Sequence, residues 1–269
     1  MEPPKFFFQE KYAKLGVRGN FMPLAAQPKN VELGDWLAHQ AFEQFGNIEN
    51  LVACISERDD KTGMPLCNPR GCPTMSAGRS HIYTWLNSNR EPVKVPAYQY
   101  IGLVRRWIQG KLSDTRVFPT QPLKDSGAIY GSENVTDNII TMNSTGPTTP
   151  NGTGSALASR NWIGRSAGFP ENFFTDIKTI FRQIFRIYAH IYHSHWVDPF
   201  WHITGSNPPS SGWTDLNSCF VHFITVAKLF GLLSEKDLEP MQPLIDIWVG
   251  NGSIPPDAAI GASAVTVLQ

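Results

Sequence analysis

Residues 173–196 read FFTDIKTIFRQIFRIYAHIYHSHW, and the apolar positions of this segment recur at steps of three and four. That spacing is the period of an α-helix with one wide apolar face. The face contains Ile177, Phe181, Ile184, Tyr188, Ile191 and His195. A face of this width is typical of a helix at the centre of a packed domain, so we expect the rest of the chain to pack around this segment.

The end of this segment and a distant loop together offer the ligands of a metal site. The helix ends with His190, His193 and His195, and the closest cysteine pair, Cys67 and Cys72, lies in CNPRGCPTMSAG. Turn-forming asparagine, proline and glycine residues in that loop allow both thiols to lie on one side. Two thiolates and two imidazoles complete the tetrahedral ligand set of zinc. The pattern predicts a zinc ion that ties the loop to the central helix.

The spacing leaves the identity of the second histidine open. At about 100° per residue, His190 and His195 point about 140° apart on a straight helix, whereas His190 and His193 share a face better. A pair of His190 and His195 requires the helix to end or loosen near Ser194, which the nearby Pro199 favours. Histidines on core helices are often hydrogen-bonded core residues that bind no metal. The residue spacing alone favours neither this alternative nor the zinc site.

The sequence offers little equipment for catalysis at this site. Four protein ligands leave no position for a water molecule on a tetrahedral zinc ion. No glutamate stands beside the histidines as it does in the H-E-x-x-H motif of zinc proteases, and no nucleophile elbow, P-loop or dinucleotide fingerprint occurs. We therefore expect no enzymatic activity, and a zinc hydrolase is the less favoured alternative.

Composition and charge exclude several classes of protein. Lys and Arg number 23, as do Asp and Glu, so the formal net charge is zero and gives no general attraction to nucleic acid or membrane. Four cysteines do not resemble a disulfide framework, and we expect Cys54 and Cys219 to be buried free thiols. The first residues lack the pattern of a secretory signal, and no apolar run approaches 18 residues. These features favour a soluble intracellular protein without membrane insertion.

Periodicity and composition divide the chain into parts. We expect residues 1–30 to form an extended arm, 31–250 a helical domain, and 251–269 a flexible tail. Residues 121–165 are rich in Gly, Ser, Thr, Asn and Pro and show no apolar period, which predicts a disordered insertion within the domain. Every long periodic segment is helical, so the expected fold is mostly α, a helix bundle with one small β-hairpin.

The elements expected within this domain follow from local signals. A helix over 31–57 keeps the apolar spacing, with a break expected near Gly46 and Asn47. Ser234 and Asp237 resemble a capping box. The other expected elements are a hairpin over 81–95, a helix from Pro96 to Leu112, a helix from Leu216 to Leu232 and a short last helix from Pro240.

The first long helix has an acidic polar face. Between Glu32 and Asp60 the sequence has seven carboxylates against one basic residue, Arg58. Such a face is most often simply solvated, and the alternative is a docking surface for a basic helix.

Five segments of the chain resemble the Mob (Mps-one-binder) family of kinase co-activators. They are VELGDWLAHQAFEQF (31–45), CPTMSAG (72–78), FRQIFRIYAHIYHSHW (181–196), LNSCFVHFITVAKLFGLL (216–233) and LEPMQPLI (238–245). The resemblance implies a Mob/phocein-like helix bundle with a structural zinc and no enzymatic activity. It also implies that the zinc ligands are Cys67, Cys72, His190 and His195.

The same resemblance implies a partner and a place of action. Members of the family bind the basic N-terminal region of NDR/LATS-type serine/threonine kinases through an acidic face, which here contains Glu32, Asp35, Trp36 and Glu43. The implied function is a kinase activator in polarity, morphogenesis or cell-division signalling, monomeric on its own. The implied location is the cytoplasm, extending to the nucleus and the cell cortex or division site. A Mob-like scaffold of a phosphatase-associated complex is the alternative within the family.

Two features place the chain within the family. The arm sequence YAKLGVRGNFMPLAAQPKNVELGDWLA (12–38) resembles the second Mob branch, the partners of NDR kinases. Members that bind phosphopeptides have a basic cluster on the central helix, and here those positions hold Arg182, Gln183 and Arg186. One fewer cation predicts a weakened phosphate site.

Overall fold

A computed structural model of the chain describes residues 6–17, 19–60, 62–119, 162–206 and 209–256. Residues 121–161 of the predicted insertion and 257–269 of the predicted tail lie outside the described residues. Residues 162–165, which the sequence analysis assigned to the insertion, form hydrogen-bonded turns, and the indole of Trp162 donates a hydrogen bond to the carbonyl of Phe169.

The described part of the chain is mostly helical. Its α-helices are α1 (Met22–Ala25), α2 (Leu33–Ser56), α3 (Ala97–Leu112), α4 (Phe173–His195), α5 (Gly212–Leu229), α6 (Glu235–Leu238) and α7 (Gln242–Gly250). Short 3₁₀ turns lie at Glu10–Tyr12 and Glu239–Met241, and a π-helical turn follows α4 at Trp196–Trp201. None of the helices described here is long and apolar enough to cross a membrane. The mostly helical fold expected from periodicity is confirmed.

Helix α4 is the centre of the core, as its apolar period predicts. Thirteen of its residues are buried, and it packs against α2 and α3 and, through aromatic side chains, against α5. Phe181 of α4 stacks on Phe223 of α5 with ring centroids 5.2 Å apart. Tyr188, which is also on α4, contacts both Phe220 and Phe223. Aromatic pairs of this kind contribute about 0.5–1.5 kcal/mol each beyond the area they bury.

Helix α2 is continuous, so the break expected near Gly46 and Asn47 is wrong. A helical glycine costs about 1 kcal/mol relative to alanine. Here Leu37, Ile48 and Val52 are buried on the same helix, and packing against α4 and α5 outweighs that local cost. The helix begins where the Glu32 side chain accepts a hydrogen bond from the Gly34 amide at 2.6 Å. The full length of α2 therefore forms one rigid rod.

The described part of the chain has three pairs of short antiparallel strands, where the sequence predicted one hairpin. The strands are β1 (Ser76–Ala77) with β2 (His81–Ile82), β3 (Trp85–Leu86) with β4 (Pro92–Val93), and β5 (Thr204–Ser206) with β6 (Pro209–Ser211). The β3–β4 pair is the hairpin expected within 81–95. The β1–β2 pair follows Cys72 directly and packs on α4, so it holds the cysteine loop against the central helix.

The N-terminal arm lies on the bundle through polar and aromatic contacts. The buried Asn217 amide of α5 donates hydrogen bonds to the carbonyls of Tyr12 and Lys14, and its oxygen accepts one from the Tyr192 hydroxyl at 2.7 Å. Phe7 packs on the Tyr192 ring at 5.1 Å. Further along, Phe21 stacks on His222 of α5 at 5.5 Å. The arm is therefore part of the fold from Phe7 onward.

His222 is a buried imidazole whose charge state affects stability. The Gln44 amide lies 3.3 Å from its Nδ1 atom, and the Glu43 carboxylate lies 4.0 Å away. Burial lowers the pKa of His222, and the Glu43 charge opposes that shift only in part. The folded protein thus keeps this imidazole neutral at a pH where the unfolded chain protonates it. The stability it contributes is present above the ordinary histidine pKa, about 6.5, and is lost as the pH falls below it.

We expect His222→Gln to flatten the pH dependence of stability. Glutamine takes up no proton, so the free energy of unfolding should fall less steeply between pH 7.0 and 5.5 than in the wild type. The difference in slope is at most about 1.4 kcal/mol per pH unit for one group. Urea unfolding followed by circular dichroism measures both slopes. Parallel curves for the two proteins would contradict the assignment of a neutral buried His222.

Candidate metal centre and binding surfaces

The four predicted ligands converge in the structure. The ligand atoms of Cys67, Cys72, His190 and His195 all lie within 4.8 Å of one another, and all four residues are buried. The Cys67 sulfur is 3.6 Å from His190 Nε2, and the Cys72 sulfur is 3.6 Å from His195 Nε2. A tetrahedral zinc with ordinary bond lengths places its ligand atoms about 3.3–3.8 Å apart. The donor set therefore fits a tetrahedral metal ion, and the two sulfur–nitrogen distances of 3.6 Å lie within this range.

Helix α4 ends at His195, which is the position that a ligand pair of His190 and His195 requires. His195 has φ −128° and ψ 6°, outside the α-helical region, and the π-helical turn begins at the next residue. This change of backbone direction allows the His195 ring to lie 5.2 Å from the His190 ring. The prediction that the helix loosens near Ser194 is confirmed. The angle of about 140° that would separate His190 and His195 on a straight helix therefore does not apply here.

Hydrogen bonding orients the first histidine for metal binding. The Nδ1 atom of His190 lies 2.9 Å from the carbonyl of Ser76, which can only accept a hydrogen bond. His190 therefore carries its proton on Nδ1 and presents the Nε2 lone pair toward Cys67. Outer hydrogen bonds of this kind are typical of metal-ligating histidines. Ser76 belongs to β1, so the strand after the cysteine loop also positions the opposite ligand.

The remaining histidine of the segment has a different role. The Nε2 atom of His193 lies 3.1 Å from the carbonyl of Pro240, and its ring contacts Phe7 at 5.0 Å. A Cβ atom at Gly78, which has φ +68°, would approach the His193 ring to 3.1 Å. His193 thus packs the cysteine loop, the arm and the last helices together, and the pair of His190 and His193 is excluded as the ligand pair.

The two thiols ionise as a coupled pair. The pKa of Cys72 is lowered to about 3, chiefly because its sulfur accepts a hydrogen bond from the Cys67 thiol, and the neighbouring His190 and His195 rings lower it further. The pKa of Cys67 is raised, because this thiol donates to the Cys72 thiolate and is itself buried. The lowered pKa of Cys72 favours its thiolate, which is the form that binds metal.

The other two cysteines are not fully buried. Cys54 and Cys219 are free thiols of intermediate exposure, so the prediction of burial is wrong. Cys54 lies on α2, where its sulfur donates to the Asn50 carbonyl, and Cys219 lies on α5. Both helices turn these positions to the edge of the core rather than into it.

The four residues predicted to contact a kinase lie on one face of α2. Glu32 caps the helix, Asp35 is exposed, and Trp36 donates a hydrogen bond from its indole to the Ala25 carbonyl at 3.0 Å. Glu43 lies two turns further along the same face. Burial, and then the neighbouring Glu32 charge, raise the pKa of Asp35. The start of α2 thus holds carboxylates that repel each other.

The N-terminal arm extends this face. Helix α1 lies beside α2 because the Gln40 amide donates to the Leu24 carbonyl and Trp36 donates to Ala25. The Leu24 side chain is 53% exposed. We call Leu24, Glu32, Asp35, Trp36, His39 and Glu43 together the α2 face. The sequence pattern of α2 predicted an acidic face. The contribution of Leu24 to this face depends on tertiary packing, which the pattern does not show.

Comparison with known proteins gives a family. The sequence profile of the Mob1/phocein family matches residues 13–133 and 159–241. The chain belongs to the Mob1/phocein family. The resemblance seen in the five sequence segments is thereby confirmed.

Several fungal relatives are similar over most of the chain. The CBK1 kinase activator protein MOB2 of Candida albicans is 33% identical over 252 residues, which are 93% of this chain and 62% of the relative. The protein of the same name in Saccharomyces cerevisiae is 31% identical, with 92% and 66% covered. The maintenance of ploidy protein mob2 of Schizosaccharomyces pombe is 29% identical, with 94% and 80% covered. The chain therefore spans less than two thirds of the length of both CBK1 activators.

The arginines of the predicted phosphate site are both engaged by other groups in this Mob-family chain. A cavity of about 200 Å³ is lined by Arg182, Arg186, Tyr83 and Asp237, among others. Arg182 forms an ion pair with Asp237 at 3.2 Å. Arg186 donates to the Tyr100 hydroxyl at 2.8 Å and lies over the Tyr83 ring.

Asp237 is the residue of this cavity that sequence reasoning missed. It was recognised as part of a capping box, and that role is confirmed by its bonds with the Ser234 amide and hydroxyl. The same carboxylate also neutralises Arg182, which nothing in the local sequence indicates because the two residues are 55 positions apart. Gln183 accepts from the Tyr100 hydroxyl and contributes no charge. An anion entering the cavity must therefore compete with Asp237 for Arg182.

We expect Asp237→Asn to strengthen phosphate binding in this cavity. The amide oxygen of asparagine can still accept from the Ser234 amide, while the competing negative charge is removed. The affinity for a phosphothreonine peptide, measured by fluorescence anisotropy at low salt, should rise about threefold or more over the wild type. The double variant Arg182→Gln/Asp237→Asn should lose that gain. Equal affinity of the wild type and Asp237→Asn for the phosphopeptide would show that Asp237 does not compete with phosphate for Arg182.

Proposed function

We propose that this chain is a non-catalytic adaptor and co-activator that binds the basic N-terminal region of an NDR/LATS-type serine/threonine kinase. The observation that carries the proposal is the α2 face, an acidic and partly aromatic surface on a rigid helix. Relatives named as kinase activators over most of this chain support the same role. Polarity, morphogenesis and cell-division signalling are the processes we propose for it, in the cytoplasm, the nucleus and at the cell cortex.

Charge on the α2 face favours a basic partner. Among the described residues, no cation forms an ion pair with Asp35, and burial followed by the Glu32 charge raises the pKa of the Asp35 carboxyl. A lysine or arginine from a partner would relieve this repulsion as well as pair with the carboxylates. Complementary charge of this kind increases the association rate and makes binding sensitive to salt.

The apolar part of the α2 face favours a helical partner. Leu24 is exposed, and Trp36 is half-buried with its indole bonded to the neighbouring Ala25 carbonyl, so the two side chains suit the apolar side of an amphipathic helix. The continuity of α2 from Leu33 to Ser56 provides a long straight surface. A partner helix with basic residues flanking an apolar stripe would satisfy both parts at once.

The ion that we propose for the metal centre is a structural zinc. Two thiolate and two imidazole ligands suit zinc among the common divalent metals, and four protein ligands fill its tetrahedral sphere. When bound, the ion would neutralise the thiolates and join the cysteine loop to the end of α4. The chain's own contribution is the preformed geometry, because Ser76 orients His190 and the end of α4 brings His195 into position. This arrangement supports a role in folding rather than in catalysis.

Charge reversal on the α2 face tests the kinase-binding proposal. We expect Asp35→Lys/Glu43→Lys to weaken binding of the N-terminal fragment of Saccharomyces cerevisiae CBK1 about tenfold or more at low salt, because two attractive contacts become repulsive. Glu32 is left intact because its side chain caps the helix. Isothermal titration calorimetry gives the affinities.

The matched control is Asp246→Lys, a charge reversal at an exposed position of α7. It changes the net charge in the same direction, and its affinity for the CBK1 fragment should stay within about twofold of the wild-type value. Circular dichroism and thermal unfolding confirm that each variant is folded. Undiminished binding of the double variant would remove the α2 face as the docking surface. A purified partner set containing phosphatase subunits and no kinase would instead favour the scaffold alternative.

A further inference from the structure

Glu43 of the α2 face lies between two histidines. Its Oε2 atom is 3.6 Å from His39 Nε2, one turn earlier on α2, and its Oε1 atom is 4.0 Å from His222 Nδ1 on α5. The glutamate is about one third exposed, so it is reachable from solvent and from the core. Each of its oxygens therefore faces a different imidazole.

The two imidazoles have opposite environments. The His39 side chain is 60% exposed and stacks on Trp36 with ring centroids 5.1 Å apart. The His222 side chain is 5% exposed, and burial lowers its pKa. Histidines ordinarily change charge between pH 5 and 8. The His39 ring faces solvent, whereas burial disfavours a proton on the His222 ring.

Few other groups face these histidines. His222 is surrounded by Glu43 and Gln44 from α2, by the Phe21 ring from the arm, and by the Leu24 carbonyl. His39 meets Glu43 and the Trp36 ring on its own helix. Within the described residues, no ionisable side chain from α1, α4 or α5 forms an ion pair with His39. Glu43 is thus the charged group that both imidazoles share.

We propose that His39 makes the α2 face pH-sensitive: when protonated, it pairs with Glu43 and weakens docking of a basic partner. This inference rests on the proposed function, because it concerns the regulation of the same surface. A neutral His39 leaves Glu43 available to a lysine or arginine of the partner. A protonated His39 adds a positive charge to the α2 face and occupies the outer oxygen of Glu43.

The effect should appear as a change of affinity with pH. The ratio of the dissociation constants at pH 6.0 and pH 7.5 for the CBK1 N-terminal fragment should be about three for the wild type, the size expected for one exposed ion pair. For His39→Gln this ratio should be about threefold smaller than for the wild type, since glutamine remains neutral. Histidines of the CBK1 fragment contribute equally with every variant, so the comparison isolates His39. Calorimetry at constant ionic strength provides all the constants.

His81→Gln is the matched control. His81 on β2 forms a similar pair with Glu239, at 3.7 Å, outside the α2 face, and its substitution should keep the wild-type ratio. Equal ratios for the wild type and His39→Gln would overturn the pH proposal, and the docking proposal would still stand if Asp35→Lys/Glu43→Lys weakens binding. Absence of wild-type binding at pH 7.5 would overturn both proposals.

Discussion

Convergence of four side chains on one point is the constraint on which the rest of the structure depends. Cys67 and Cys72 come from a loop between α2 and α3, while His190 and His195 come from the end of α4. Met75 and Ala77 of this loop are buried in the core. The loop's position is set by the ligand cluster, by the hydrogen bond between Ser76 and His190, and by the close packing of Gly78 on His193. The ligand cluster thus joins distant parts of the chain into one domain.

The same central helix connects the metal centre with the α2 face. Helix α4 packs along α2 and contacts α5 through aromatic side chains, and α5 holds the arm through Asn217. The arm then places α1 beside Trp36 and Gln40. Fixing the end of α4 therefore supports a surface that lies on another helix. In this arrangement a metal ion would act on partner binding indirectly, through the rigidity of the bundle.

Local sequence patterns predicted the elements that depend on short-range physics. The period of residues 173–196, the capping box at Ser234 and the hairpin after Ile82 all appear in the structure. Residue spacing also showed that His190 and His195 can form a ligand pair only if the helix loosens near Ser194. The identification of His195 itself came only from the family resemblance.

The predictions that the structure contradicts have a common cause. The expected break at Gly46 ignored the tertiary packing of α2, and the expected burial of Cys54 and Cys219 ignored which side of each helix meets the core. The pairing of Arg182 with Asp237 joins residues far apart in sequence, so no local pattern reveals it.

Metal content measured together with thermal unfolding tests the central claim most directly. We expect one zinc ion per chain by mass spectrometry, and removal by a chelator should lower the melting temperature by about 10 °C or more, because the loop and the end of α4 lose their common anchor. Added zinc should restore the wild-type value, but should not do so in Cys72→Ser. A metal-free protein with full helical content and an unchanged melting temperature would contradict the account.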